Sequence, residues 1–350
     1  MPGGKSERAV IVEAGPPDPT RDAGSRVVID LVTGLRHLGL SVELVTEDNP
    51  RAVESALRDS PKIVVLSRPG TFQRTISRVD RASARVVYLA HDLHYLRLES
   101  GGGKRPGHSS LAAKAMRMIE RGCFQQADLT LVPTDEEVHE VSLECPGAGV
   151  RALNYYWFPP PPSRDSAPEN KQIVFLGSSS HGPNIDGIHW FLEDVWAELV
   201  VREPDAELLI VGDWPPSILD SAPPRVRLIY QPPDEEVDSL LRGARVGIAP
   251  LRFGAGMKRK TLHYLSQALP VVSTNWGVQG LVADEDQTGV VVATSVDEWL
   301  VALQELLGDN DFWKRRSDAA GAYIVKDFSH SRYLEGVSQA LEAVAGWGDT

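Results

Sequence analysis

Short apolar segments alternate with amphipathic ones along almost the whole chain, and that rhythm restricts the fold more than any other feature. In the first half, apolar runs at 9–13, 41–45, 63–66, 85–89, 129–132 and 150–153 read as strands. Helical spacing between them predicts helices near 51–58, 72–81, 111–125 and 136–143. The clearest helix begins at Ser25, a good N-cap residue, and lines up Val28, Leu31, Val32, Leu35 and Leu38 on one face. Strands alternating with helices in this way build βαβ units and a parallel sheet. The pattern stops at 158–170, F-P-P-P-P-S-R-D-S-A-P-E-N, where five prolines and no apolar period predict a semi-rigid connector. It then restarts, with strands at 172–176, 207–211, 226–229, 246–249, 270–273 and 290–293, and helices at 186–201, 236–241, 296–307, 311–326 and 331–345.

Two doubly wound α/β domains of Rossmann-like type are therefore expected. The first covers 1–158, a linker 159–170, the second 171–330, and a last helix occupies 331–350. Such sheets bind ligands at the carboxyl ends of their strands. At 350 residues the chain is long enough for two cores. Its net charge of −12 argues against a nucleic-acid surface, while a local basic patch stays compatible with peripheral membrane contact. Cys123 and Cys145 have no metal-ligand spacing, and a reduced, cytoplasmic chain is expected. No apolar run approaches the roughly 18 residues of a membrane span.

The most informative stretch is 248–280, beginning I-A-P-L-R-F-G-A-G-M-K-R-K. A strand runs through Pro250 into a loop holding Gly254, Ala255 and Gly256, then into a helix opening at Met257–Lys260. Glycines let backbone N–H groups approach a ligand, and a helix N-terminus adds partial positive charge. Cations are unfavourable at that helix end, so Arg252, Lys258, Arg259 and Lys260 there point to an anionic partner, a phosphate or pyrophosphate. A solvated βα turn decorated by lysines is the bland alternative. Gly24, before the first long helix, is a weaker place for phosphate donors. His91 leaves the strand 85–89 in A-H-D-L-H-Y-L-R, where it is either a substrate contact or a hydrogen-bonded structural histidine.

The stretch P-L-R-F-G-A-G-M-K-R-K-T-L-H-Y-L-S-Q-A-L-P-V-V-S-T resembles the donor-site segment of GT-B glycosyltransferases of glycosyltransferase family 4. G-S-S-S-H-G-P-N-I-D-G resembles that family's first loop of the second domain. The resemblance implies a GT-B fold, two Rossmann-like domains facing across a cleft, and retaining transfer of a sugar from a nucleotide-diphosphate donor to a hydroxyl. The acceptor, whether glycan, lipid-linked sugar or small molecule, is left open, and neither metal nor cofactor is expected. By the same resemblance Arg252, Lys258 and Lys260 neutralise the diphosphate, helped by the amides of Gly254, Ala255, Gly256 and Met257. Ser178 lines the phosphate pocket, Gly24 approaches the diphosphate, Gly212 lies near the nucleobase and His91 contacts the transferred sugar. Asp186 reads as a helix cap, and Asp92, His94 and Arg97 also match a bacterial subgroup of polysaccharide biosynthesis.

Two positions depart from the family pattern. His263 stands where the family carries the glutamate that holds the ribose, and Gln279 replaces a glutamate of G-x-E-G-L. A carboxylate accepts two hydroxyl bonds where a neutral imidazole accepts one. A binding or scaffold protein that has lost turnover is thus a second reading, and a GT-B sugar-nucleotide epimerase a third.

Overall fold

The structure is a computed structural model that describes residues 7–18, 23–100, 110–220, 222–254, 256–281 and 284–345. It divides into two compact units, residues 1–157 with 330–350, and residues 158–329. Each unit is built on one six-stranded, all-parallel sheet.

In the first unit the strands are β1 (Arg8–Glu13), β2 (Ser41–Thr46), β3 (Ile63–Ser67), β4 (Arg85–Leu89), β5 (Leu129–Val132) and β6 (Val150–Ala152). Their order across the sheet is β2-β1-β3-β4-β5-β6. Successive residues of a strand point to opposite faces, and β1 is apolar at both. Ala9 and Ile11 join one cluster with Val28, Leu31 and Leu35 of helix Ala23–His37. Val10 and Val12 join the other, with Val53 and Leu57 of helix Pro50–Arg58 and with Phe72 and Phe124. Burial on both faces explains why these strands read as unbroken apolar runs. Helix His330–Ala345 contributes Tyr333, Val337, Leu341 and Val344 to the first face.

The second unit holds β7 (Lys171–Leu176), β8 (Ala206–Gly212), β9 (Val226–Tyr230), β10 (Val246–Ala249), β11 (Val271–Ser273) and β12 (Val290–Val292), in the order β12-β11-β10-β7-β8-β9. Phe175, Ile210 and Ile248 pack with Phe191, Trp196, Trp299, Leu303 and Trp313 into one core. The proline-rich segment 159–170 is grouped with this unit and tied to its backbone. Arg164 donates to the carbonyls of Arg242 and Ala244, both at 2.8 Å, and lies over the Trp313 ring at 5.0 Å.

Some local expectations need correcting. Ser25 does not cap the first helix, which begins at Ala23 and places Ser25 inside its first turn. The helix expected from Asp186 begins at Gly182, with Pro183 in its first turn. That position suits proline, whose missing N–H would have no partner there. The helix continues through a π-helical turn, Phe191–Trp196, to Arg202. An additional helix, His94–Ser100, follows β4, and residues 101–109 lie outside the described residues. No helix among the described residues is long and apolar enough to cross a membrane.

Candidate functional site

Because each sheet is parallel, its strand carboxyl ends share one edge, and the candidate residues collect there. In the second unit β10, β7 and β8 are neighbours. After β10 come Arg252, Gly254 with φ +124° and Gly256 with φ +74°. Both glycines occupy a backbone region that side chains disfavour, so the turn depends on them. Ala255 between them lies outside the described residues. Lys258 precedes helix Arg259–Ser266, and no side chain caps that helix start. Its Nζ donates to the Gly256 carbonyl at 2.7 Å and to Gln279 Oε1 at 3.3 Å. Gln279 therefore meets Lys258 with an uncharged oxygen. Met257 is half-buried beside it.

Lys260 lies deeper. Its Nζ donates to Asn184 Oδ1 and sits 4.5 Å from the centre of the Phe175 ring. Burial, and then the charge of Lys258, push this lysine down to about 7. Asn184 in turn donates to the Ser178 carbonyl at 3.1 Å, so the loop after β7 and the helix after β10 are joined through one amide. Ser178 Oγ lies 2.8 Å from Ser180 Oγ. Gly212, at the end of β8, has φ +133°, and a Cβ there would stand 1.9 Å from the Gly177 carbonyl oxygen. Trp214 Nε1 donates to that same carbonyl at 2.9 Å. With Ser179, Asp213, Leu228 and Tyr230, Trp214 lines an open pocket of about 450 Å³ beside this strand end.

One residue sits differently from expectation. Asp186 does not cap a helix: from mid-helix it accepts from Arg252 Nε at 2.7 Å and Nη2 at 2.5 Å. The pair is part-exposed and holds the Arg252 guanidinium more firmly charged than usual. His263 lies in the last turn of its helix, with Nε2 2.7 Å from Asp238 Oδ1 and its ring stacked near Phe158 at 6.5 Å. The histidine holds the Asp238 carboxyl below its ordinary range.

In the first unit, β1, β3 and β4 are adjacent and end at Glu13, Ser67 and Leu89. His91 follows β4 by two residues, and its Nε2 lies 2.7 Å from Ser67 Oγ. Ser67 Oγ also bonds Glu13 Oε2, and Arg68 Nε donates to Glu13 Oε1 at 2.9 Å. The neighbouring Asp92 pairs with Arg97 at 3.0 Å. The fully buried Glu120 accepts the backbone N–H groups of His94 and Tyr95. This second group fixes the start of helix His94–Ser100. Gly24 lies in the first turn of helix Ala23–His37, next to the undescribed 19–22. Among the described residues, no group of three or more His, Cys, Asp or Glu is placed to hold a metal ion.

Glu13, Ser67, Arg68, Asn184 and Trp214 were missed by the reading of the sequence. Asn184 stood inside a recognised loop motif. Glu13 carried one signal, a carboxylate closing an otherwise apolar strand.

Residues 170–309 match the protein family described as "Glycosyl transferases group 1". A Klebsiella pneumoniae protein described as an uncharacterized 44.6 kDa protein in the cps region is 27% identical over 135 residues, which is 36% of this chain and 35% of that protein. Sucrose-phosphate synthase from Thermosynechococcus elongatus superposes with TM-score 0.73 at 13% identity, covering 96% of this chain and 98% of that one. Anabaena HepE in complex with UDP-glucose gives TM-score 0.67 at 11% identity, covering 96% and 99%. TarM of S. aureus gives 0.67 at 11%, covering 83% of this chain and only 57% of TarM. The chain thus spans about a third of the curated relative and little over half of TarM. The fold is GT-B, two α/β units each carrying a six-stranded parallel sheet, and the matches support a glycosyltransferase.

Proposed function

We propose that the chain transfers a sugar from a nucleoside-diphosphate sugar to an acceptor hydroxyl with retention, the donor binding at the strand ends of the second unit. The observation that carries this reading is the turn after β10. Two positive-φ glycines lead there into a helix start flanked by Arg252, Lys258 and Lys260. Such a turn presents amides and cations to a leaving diphosphate, where developing charge is largest. The likeness to a structure holding UDP-glucose supports the same reading. In it, the amides of Gly254, Ala255, Gly256 and Met257 meet the diphosphate, Ser178 lines its pocket and Gly24 offers further amides. The nucleobase takes the pocket beside Gly212, and His91 bonds the transferred sugar. No side-chain nucleophile is assigned. The pathway served is one that builds polysaccharides, glycolipids or glycosylated natural products.

A thermal-shift screen over nucleoside diphosphates and their sugars tests this, because a ligand of the folded state raises the midpoint. At 100 times Kd the gain is about 2.7 kcal/mol. A flat response to every member would sink the donor site.

Asp186 makes a sharper test. It neutralises Arg252 in a part-exposed pair, and such pairs contribute up to about 1 kcal/mol. Asp186→Asn should release the guanidinium for the ligand and tighten diphosphate binding up to about fivefold at low salt. Weaker binding in titration calorimetry would assign Asp186 to holding Arg252 in place.

One observation favours the scaffold reading. His263 Nε2 is engaged by Asp238, so the ribose would have to meet Nδ1 or displace that carboxylate. Binding of a nucleotide sugar without release of nucleotide would select this second reading.

A further inference from the structure

Three strand ends of the first sheet bring together a chain of side chains that no local motif announces. Glu13 closes β1, Ser67 closes β3 and His91 follows β4. Glu13 is 4% exposed and Ser67 fully buried. Ser67 Oγ sits between Glu13 Oε2 and His91 Nε2. A serine hydroxyl has one proton to give, and a carboxylate can only accept. The proton of Ser67 therefore goes to Glu13, and the remaining lone pairs of Ser67 accept from the ring. His91 must then carry its own proton on Nε2.

The carboxylate end of the chain is itself fixed. Glu13 Oε1 accepts from Arg68 Nε and from the backbone N–H of Ala14, both at 2.9 Å. Arg68 is held at φ +70° and ψ 151°, a backbone region that residues with a side chain disfavour. Strain of this kind persists only where surrounding contacts over-determine it. Here the Arg68 N–H bonds the Leu89 carbonyl at 3.1 Å while its side chain holds Glu13. On the other side, the Tyr155 hydroxyl reaches the carbonyl of Ala90 at 2.7 Å and anchors the residue before His91.

We propose that Glu13 and Ser67 are positioning residues for His91, fixing the orientation of its ring and its tautomer, protonated on Nε2. The inference rests on the reading of His91 as the residue that bonds the transferred sugar. It adds how that ring is held and which nitrogen carries its proton.

Glu13→Gln tests it with little change of shape. Arg68 and Ala14 keep the amide oxygen at the Oε1 position, so the new NH2 faces Ser67. Ser67 must then accept from the amide and turn its own proton to His91 Nε2, which drives the ring proton to Nδ1. The readout is the tautomer of His91, from ring nitrogen shifts of histidine-labelled full-length protein. The parent should show Nε2–H and Glu13→Gln should show Nδ1–H. With the donor sugar identified by the thermal screen, kcat should fall roughly tenfold or more while donor KM stays within about twofold, since the nucleotide contacts lie elsewhere. Should Glu13→Gln fail to fold, Ser67→Ala removes the link and mixes the tautomers, and Ser67→Thr restores the parent state.

An Nδ1–H ring in the parent overturns the proposal. So does an unchanged tautomer in both Glu13→Gln and Ser67→Ala, or a switched tautomer with unaltered kcat. A parent that turns over no nucleotide sugar, yet switches tautomer as stated, sinks the transferase reading and keeps the relay.

Discussion

Lys258→Ala should weaken nucleoside diphosphate binding about ten- to 150-fold, the range of a lost charge-assisted hydrogen bond, roughly 1.5–3 kcal/mol. The lysine stands immediately before helix Arg259–Ser266, next to the turn formed by Gly254 and Gly256. The carbonyl of Gly256 and the amide oxygen of Gln279 hold its Nζ beside that turn. In the proposed transfer the diphosphate is also the leaving group, so kcat should fall with affinity. Calorimetry with the diphosphate that gives the largest thermal shift measures this. Affinity within twofold of the parent would remove Lys258 from the site.

Binding of the same diphosphate near pH 8.5 should take up close to one proton. Burial and the nearby Lys258 charge bring Lys260 down to about 7, so in the free protein it is mainly neutral at that pH. A diphosphate arriving nearby favours the ammonium and raises the lysine towards its ordinary value near 10.4. Affinity should be flat just below pH 7 and fall by up to about tenfold per pH unit above it. The sign for folding follows from the same shift. Between about 7 and 10.4 the unfolded chain holds the proton that the folded one has lost, so the ligand-free protein gains stability as pH rises through that window. Calorimetry in buffers of different ionisation heat reports the uptake, and Lys260→Met should abolish it. No uptake in the parent would place Lys260 outside the reach of the diphosphate.

Strands and helices were legible because most strands are buried on both faces and read as continuous Val, Ile and Leu runs. β1 and β7 are examples, and their ends fell within one residue of expectation. The glycine turn at 254–256 was legible too, since its chemistry is local. Asp186 was misread because an acidic residue near a helix start resembles a cap. The Gly182–Pro183 pair four residues earlier was the stronger start signal. The Glu13–Ser67–His91 chain was out of reach for another reason. Its members are 54 and 24 residues apart, and only the strand order brings them together.

The origin of helix His330–Ala345 has a consequence for how the chain matures. One face of the first sheet is completed by Tyr333, Val337, Leu341 and Val344, which are synthesised only after the whole of 158–329. At about 5–20 residues per second, the roughly 200 residues from Leu131 to Tyr333 take about 10–40 s, and Leu31, Val65 and Val87 wait on the ribosome longer still before their cover emerges. The second unit is contiguous and has no such delay. During that interval the nascent chain carries an uncovered aliphatic surface, and holding it apart from its neighbours is work for a chaperone.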